Sequence, residues 1–261
     1  MQAMWTGLSA LKSSSDWLDR VGDNLANMNT PGFAQDQGSF ADALTMQLYG
    51  AATDPENARR TTPQGWRGGT GVVSVPEGQD FSNMSLQPTN NEMDLAIQGS
   101  AFFAVQGPNG TLYTKAGDFE WSKSANGQFL LSTPNGDPVL STTGQPIVKP
   151  ANAGTMSVGS NGQISFGSVA GPRIAMVDIA EPSSHCVSVG NNLYALGPGG
   201  TAKAATDSSI QQGYLAMSNV DETTQLSDMI EAQQMFQLNS ESIQLTNQMM
   251  GIADSIRSSG S

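Results

Sequence analysis

The side chains that could do chemistry in this 261-residue chain are few, and their spacing works against it. A single histidine, His185, stands beside a single cysteine, Cys186. In a strand, neighbouring side chains point to opposite faces, so these two cannot share a metal ion or form a nucleophile–base pair. One Cys and one His also fall short of any zinc-ligand spacing, and one Cys cannot close an internal disulfide. Glu92 and Asp94 are two apart and would share a strand face, as acid–base chemistry requires. Without a pocket of further polar groups around them, a turn or surface role is the plainer reading. Gly68, Gly69 and Gly71 lack the Lys-Ser or Lys-Thr that follows a phosphate loop. The sequence therefore predicts no catalytic, cofactor-binding or metal-binding residue.

Composition narrows the remaining classes. Charged residues make up 13% of the chain, Gly numbers 29, and the net charge is −12. A pI near 4.2 removes the electrostatic footprint of a nucleic-acid binder and disfavours anionic membrane surfaces. Arg59, Arg60 and Arg67 form the only basic cluster. Low charge with abundant small polar residues suits tightly packed polymer subunits and secreted β-proteins. No apolar run approaches the roughly 18 residues of a membrane span, and no basic segment leads into an apolar core, so neither direct membrane insertion nor a cleaved secretory signal is expected. Taken alone, these features suggest a cytosolic protein.

Both ends of the chain carry helical periodicity. Met229, Phe236, Ile243 and Met250 recur every seven residues, with Ala232, Asn239, Thr246 and Ala253 three positions further on. A second seam, Leu245, Met249, Ile252 and Ile256, follows the same rhythm. Ser218 and Asn219 offer capping side chains just ahead. At the N-terminus Met4, Leu11, Leu18 and Leu25 are again seven apart, widened by Trp5, Leu8, Val21 and Met28. That helix should stop near Asn27, because Asn29-Thr30-Pro31-Gly32 reads as a turn. A chain that leaves by one helix and returns by another predicts an antiparallel pair. The small and polar groups in both seams suit a crowded assembly better than a self-sufficient zipper.

Between the helices the period changes. Phe40, Leu44 and Leu48 give a weak helical pattern over Phe33 to Gly50. From there an irregular arm containing Trp66 runs to about Gly69, rich in Gly and Pro. From Val72 the period is two, and Asn-Gly pairs at 109–110, 126–127, 135–136 and 161–162 mark hairpin turns. Further strands are expected at 174–179, 192–196 and 211–217. The fold class read from the sequence is α+β. Residues 1–32 form an N-terminal helix, 33–70 an extended arm, 71–216 an all-β domain of antiparallel hairpins, and 217–261 a C-terminal helix. The two helices are expected to form an antiparallel coiled-coil-like layer.

Three stretches carry a resemblance. Asp23-Asn24-Leu25-Ala26-Asn27-Met28-Asn29-Thr30-Pro31-Gly32-Phe33 closely resembles the N-terminal signature of the flagellar basal-body rod and hook protein family. Gly213-Tyr214-Leu215-Ala216-Met217-Ser218-Asn219-Val220-Asp221, continuing through Met229 to Gln233, resembles its closing helix. Asp94 to Phe103 and Tyr113 to Phe119 resemble its central β region. Within this pattern Asn24, Ala26, Asn27, Thr30, Gly32, Phe33, Ser218, Asn219 and Val220 are the signature positions. Asp23, Ala216, Gln234 and Asn247 depart from the common pattern, so the family's polar contacts at those positions are not carried over.

The resemblance implies a structural subunit of the basal-body rod that self-assembles into a helical homopolymer and transmits torque to the hook and filament. It implies location in the flagellar basal body and export without a cleaved signal, which replaces the cytosolic expectation. Other rod and hook proteins are the implied partners, with ring proteins around the rod as a further candidate. Chain length and the arm from Gly50 to Gly69 look like the distal-rod type, and a divergent rod paralogue stays open. The assembly interface would comprise Met4, Leu11, Leu18, Leu25, Met229, Phe236, Ile243 and Met250. The alternative from another class is a secreted β-domain binding a cell-wall or carbohydrate ligand, its helices used only for oligomerisation. Clustered exposed aromatics would distinguish it, and Trp121 and Trp66 are its candidates.

Overall fold

The computed structural model describes residues 2–42, 45–47, 67–69, 71–82, 84–108, 110–124, 127–150 and 154–259. The chain opens with helix α1 (Gln2–Ala26), then strands β1 (Gln35–Asp42), β2 (Thr45–Gln47), β3 (Arg67–Gly69), β4 (Val72–Asp80) and β5 (Leu86–Pro88). The central strands are β6 (Leu95–Gln98), β7 (Phe102–Gly107), β8 (Gly110–Thr114), β9 (Glu120–Lys123) and β10 (Phe129–Ser132). They continue with β11 (Met156–Val158), β12 (Gln163–Phe166), β13 (Val169–Arg173) and β14 (Met176–Ile179). After the short helix α2 (Pro182–His185) come β15 (Cys186–Gly190), β16 (Leu193–Leu196), β17 (Ala202–Ala204), β18 (Ser209–Gln212) and β19 (Tyr214–Ala216). Helix α3 (Glu222–Ser259) closes the chain. The fold is α+β, with its two long helices packed together and a β-rich middle.

Two compact units result. The first contains the described parts of Met1–Asp23, Gly38–Pro76 and Thr223–Ser261; the second contains those of Asn24–Gln37 and Glu77–Glu222.

In the first unit, α3 turns one face inward. Gln225 and Ala232 are buried, and Met229, Phe236, Asn239, Ile243 and Thr246 are half-buried along the same seven-residue seam. A Cβ placed on Gly7 of α1 would sit 3.0 Å from Ile243 Cγ1, and Asn239 Nδ2 donates to Ser14 Oγ at 3.3 Å. Numbers rise along one helix as they fall along the other, so the pair is antiparallel.

The face that α1 presents differs from the sequence expectation. Met4 is exposed and Leu11, Leu18 and Leu25 are only half-buried, whereas Ser13, Ser14 and Val21 are buried. Gly7 and the serines allow close backbone approach, and Ser14 removes its own polar cost by donating to the Ala10 carbonyl at 2.9 Å. A period count ranks side chains by hydrophobicity and passes over such a small-residue face.

That polar face also anchors the start of β4. Ser13 Oγ donates to the Val72 carbonyl (3.0 Å), Val72 N donates to Ser9 Oγ (3.3 Å), and Arg20 Nη2 reaches Ser74 Oγ (3.0 Å). The helical pattern expected around Phe40 is instead strand β1, which pairs with β4, followed by β2 paired with β3. Phe40 packs edge-on against Trp17 at 5.3 Å, and Gly38 lies where a Cβ would meet the Arg20 guanidinium. Those two contacts favour extended backbone over the helix that Leu44 and Leu48 suggested; both leucines, Trp66, Arg59 and Arg60 lie outside the described residues.

The second unit is built on a six-stranded antiparallel sheet, ordered β15-β16-β8-β7-β14-β17. Strand β7 is buried on both faces, which its unbroken apolar run Phe102 to Val105 requires. Phe103 and Val105 enter one core with Leu95, Phe119, Leu131, Ile147, Ile164 and Ile174. Phe102 and Ala104 enter another with Ala34, Phe81, Leu140, Ile179 and Tyr194. Smaller pairs, β9 with β10, β6 with β18 and β5 with β19, surround it. The glycines of the four Asn-Gly sites, Gly110, Gly127, Gly136 and Gly162, all adopt positive φ. The expected strands at 174–179, 192–196 and 211–217 correspond to β14, β16 and β18–β19.

Candidate functional site

The signature residues meet in the second unit as a hydrogen-bonded clasp between the two ends of the chain. Its first element is Asn24, in the last turn of α1 and 2% exposed. Its amide pairs with one backbone unit, Nδ2 donating to the Asp36 carbonyl (3.0 Å) and Oδ1 accepting from Asp36 N (2.9 Å). An Asn amide matches a peptide group in geometry, so this pair holds the chain as it reverses out of the helix.

The reversal is a turn over Thr30-Pro31-Gly32-Phe33, closed by Phe33 N donating to the Thr30 carbonyl at 3.3 Å. Pro fixes φ at its second position, and Gly32 at the third takes φ +69. Thr30 Oγ1 donates to Asn27 Oδ1 (3.2 Å), bracing the exit from α1. Gly32 N then donates to the Ala216 carbonyl (2.8 Å), at the end of β19. Side chains cannot fit there: a Cβ on Gly32 would overlap the Ala116 backbone.

Asn219 completes the clasp. Its Oδ1 accepts from Gln35 N (2.9 Å), and its Nδ2 donates to the carbonyls of Asp80 and Ser82 (2.9 Å each). One side chain thus joins three segments. This corrects the capping expectation, because Asn219 is spent on tertiary contacts while Ser218 Oγ accepts from Val220 N at 3.3 Å. Ala26 is exposed, and Phe33 is half-buried. Sequence reasoning missed Asn192, whose Nδ2 donates to the Pro31 carbonyl (3.1 Å). Adjacent Asn191 and Asn192 both adopt positive φ, which the Asn-Asn pair signals. It also missed Tyr194, whose buried hydroxyl meets the Ala34 backbone; burial pushes its pKa up and that hydrogen bond opposes the rise.

Asn219→Ala should leave one backbone N–H and two carbonyls without this partner. At about 1–3 kcal/mol for each buried group left unsatisfied, discounted for partial exposure, the expected loss is about 2–4 kcal/mol in urea unfolding. Asn219→Asp keeps the acceptor but turns a carboxylate oxygen toward the two carbonyls in place of the donors, so it should lose at least as much as Asn219→Ala. Equal stability of all three proteins would remove the clasp from the account.

The first unit presents the other feature. Of the candidate interface residues on α3, Met229, Phe236 and Ile243 face inward, and Met250 is exposed. The second seam lies open: Leu238, Leu245, Met249 (71%), Ile252 and Ile256 (66%) are exposed, with Leu226 and Ile230 further up the helix. Trp5 of α1 is 68% exposed, and with Met4, Leu8 and Ile243 it lines an apolar recess of ≈ 270 Å³. Contiguous apolar surface of this kind marks an interaction site.

The chemistry-bearing residues do not converge. His185 ends α2 and Cys186 begins β15, and burial pushes the Cys186 thiol up to about 11, away from the reactive thiolate. Asp94 is buried and accepts from Asn91 Nδ2 (2.8 Å), whereas Glu92 is exposed. Among the described residues no group of three or more His, Cys, Asp or Glu side chains could hold a metal. No helix among the described residues is long and apolar enough to cross a membrane.

Comparison with known proteins follows the same division. Residues 4–33 match the family described as flagella basal body rod protein, residues 96–166 the flagellar hook protein FlgE/F/G D1 domain, and residues 211–256 the flagellar basal body rod FlgEFG protein C-terminal family. The chain is 31% identical to the flagellar basal-body rod protein FlgG of Bacillus subtilis (strain 168), covering 96% of this chain and 97% of that one. It is 30% identical to the flagellar basal-body rod protein FlgF of Caulobacter vibrioides, covering 90% and 89%. The FlgG of Borreliella burgdorferi is 28% identical over 98% of this chain and 99% of its own.

Proposed function

This chain belongs to the flagellar basal-body rod and hook protein family and is a structural subunit of the basal-body rod, and we propose that it polymerises into a helical tube that carries motor torque to the hook and filament. In that tube α1 and α3 form a coiled-coil-like layer. Neighbouring copies, other rod and hook proteins, and rings around the rod are its partners. It reaches the basal body by export without a cleaved signal, and it performs no catalysis.

The observation that carries this reading is the open apolar seam of α3, Leu238 to Ile256. Its inward seam is already occupied by the small-residue face of α1, so the two seams of one helix serve different neighbours. A contact between such a seam and a different surface on the next copy is heterologous and does not close, which produces a filament rather than a dimer. The candidate interface residues Met4 and Met250 are exposed within the same unit and would join that contact; Phe236 and Ile243 would support it from beneath.

Sedimentation of the full chain over a concentration series tests the reading. The weight-average mass should climb past the dimer without a plateau. A monomer, or a closed dimer, at every concentration would count against it.

A further inference from the structure

We propose that the second unit holds a binding site for a short-chain aliphatic carboxylate, in the pocket whose wall carries Lys115. The pocket has a volume of ≈ 570 Å³, within the range of small-molecule sites. Its walls are largely apolar, with Phe81, Met84, Leu86, Ile97 and Pro182 lining it together with Lys115. No assembly residue is among its linings, so the proposal stands apart from polymerisation.

Lys115 is 5% exposed, an unusual position for an ammonium group. Its Nζ donates to the Gly99 carbonyl at 3.0 Å and lies 5.1 Å above the ring of Phe102. That is one hydrogen bond for a group with three donors. Burial lowers its pKa to about 8, and the exposed carboxylate of Asp178 only partly opposes this. The other charged group on the lining, Asp80, is engaged elsewhere: its Oδ1 accepts from Ser82 N (2.9 Å) and Ser82 Oγ (2.6 Å), and its Oδ2 faces Gln37.

A carboxylate at Nζ would supply the missing acceptor and the opposite charge, in surroundings where a charge-assisted hydrogen bond is strong. An unbranched apolar stem would cover Phe81, Met84 and Ile97. An amine of the same shape would meet a like charge, and a neutral amide would form the hydrogen bond without the charge.

Hexanoate, hexanamide and hexylamine are suitable probes, titrated into the full chain carrying isotope-labelled lysine and followed by NMR. Hexanoate should shift the Lys115 side-chain resonance saturably and raise its pKa, because an adjacent anion favours the ammonium form. Hexanamide should bind at least about tenfold more weakly, the scale of one lost charge-assisted contact, and hexylamine should leave the resonance unmoved. Lys115→Met should weaken hexanoate binding by at least about tenfold on the same scale. The unaltered protein decides the matter even where that variant fails to fold. A Lys115 resonance indifferent to hexanoate, or equal affinity for hexanoate and hexanamide, would overturn the proposal.

Discussion

Gly32→Val is expected to prevent the β-rich unit from folding. Three costs coincide at this position. A non-glycine residue in the left-handed region costs about 1–2 kcal/mol, and a β-branched side chain is the least tolerant of it. The new Cβ would overlap the backbone of Ala116, and neither strand end can yield freely. Ala116 N is bonded to Thr114 Oγ1 (3.0 Å), and Lys115 is tied to Gly99. Moving the turn instead would break the bond from Gly32 N to Ala216 and strain the Asn24 and Asn219 contacts on either side. The total should exceed about 4–5 kcal/mol, a large share of the stability of an ordinary domain.

Gly213→Val is the matching control. Gly213 has a similar φ of +79, yet nothing lies within 4 Å of its Cβ position. It should show the backbone cost alone, about 1–2 kcal/mol. Near-ultraviolet circular dichroism and urea unfolding of both proteins separate the two contributions. Comparable stability of Gly32→Val and Gly213→Val would mean that the Ala116 approach is not a constraint.

The pairing of residue and role at Gly32 was partly legible in the sequence. Pro31-Gly32 marks a turn by local backbone preference alone, and so do the four Asn-Gly pairs, whose glycines all adopt positive φ. The burial of β7 on both faces, with Phe102 to Val105 all inside, emerges only from the packing. What local pattern could not supply was the partner across the chain. Nothing near Asn219 in the sequence points to Gln35, Asp80 and Ser82, since those contacts span more than a hundred positions. The inward face of α1 was hidden for a different reason. Periodicity weighs large apolar side chains, so it selected Met4, Leu11, Leu18 and Leu25 over the buried serines that lie beside the partner helix. On α3 the two seams were both visible, but which one is covered depends on α1, and only packing decides it.

Assembly into a filament depends most heavily on the open seam of α3. Met249 is exposed in the single chain, so Met249→Glu should change stability by no more than about 0.5 kcal/mol and leave the helix intact. Once a neighbouring copy covers the seam, the same carboxylate is buried without a partner, a cost of several kcal/mol at every joint. Met249→Leu nearly conserves volume and should assemble as the unaltered chain does. The decisive measurement is electron microscopy of the three proteins at matched high concentration, with circular dichroism confirming equal helix content. Filaments from the unaltered chain and Met249→Leu, and none from Met249→Glu, are the expected result. Filaments of unchanged diameter and length from Met249→Glu would contradict the assignment of this seam to assembly.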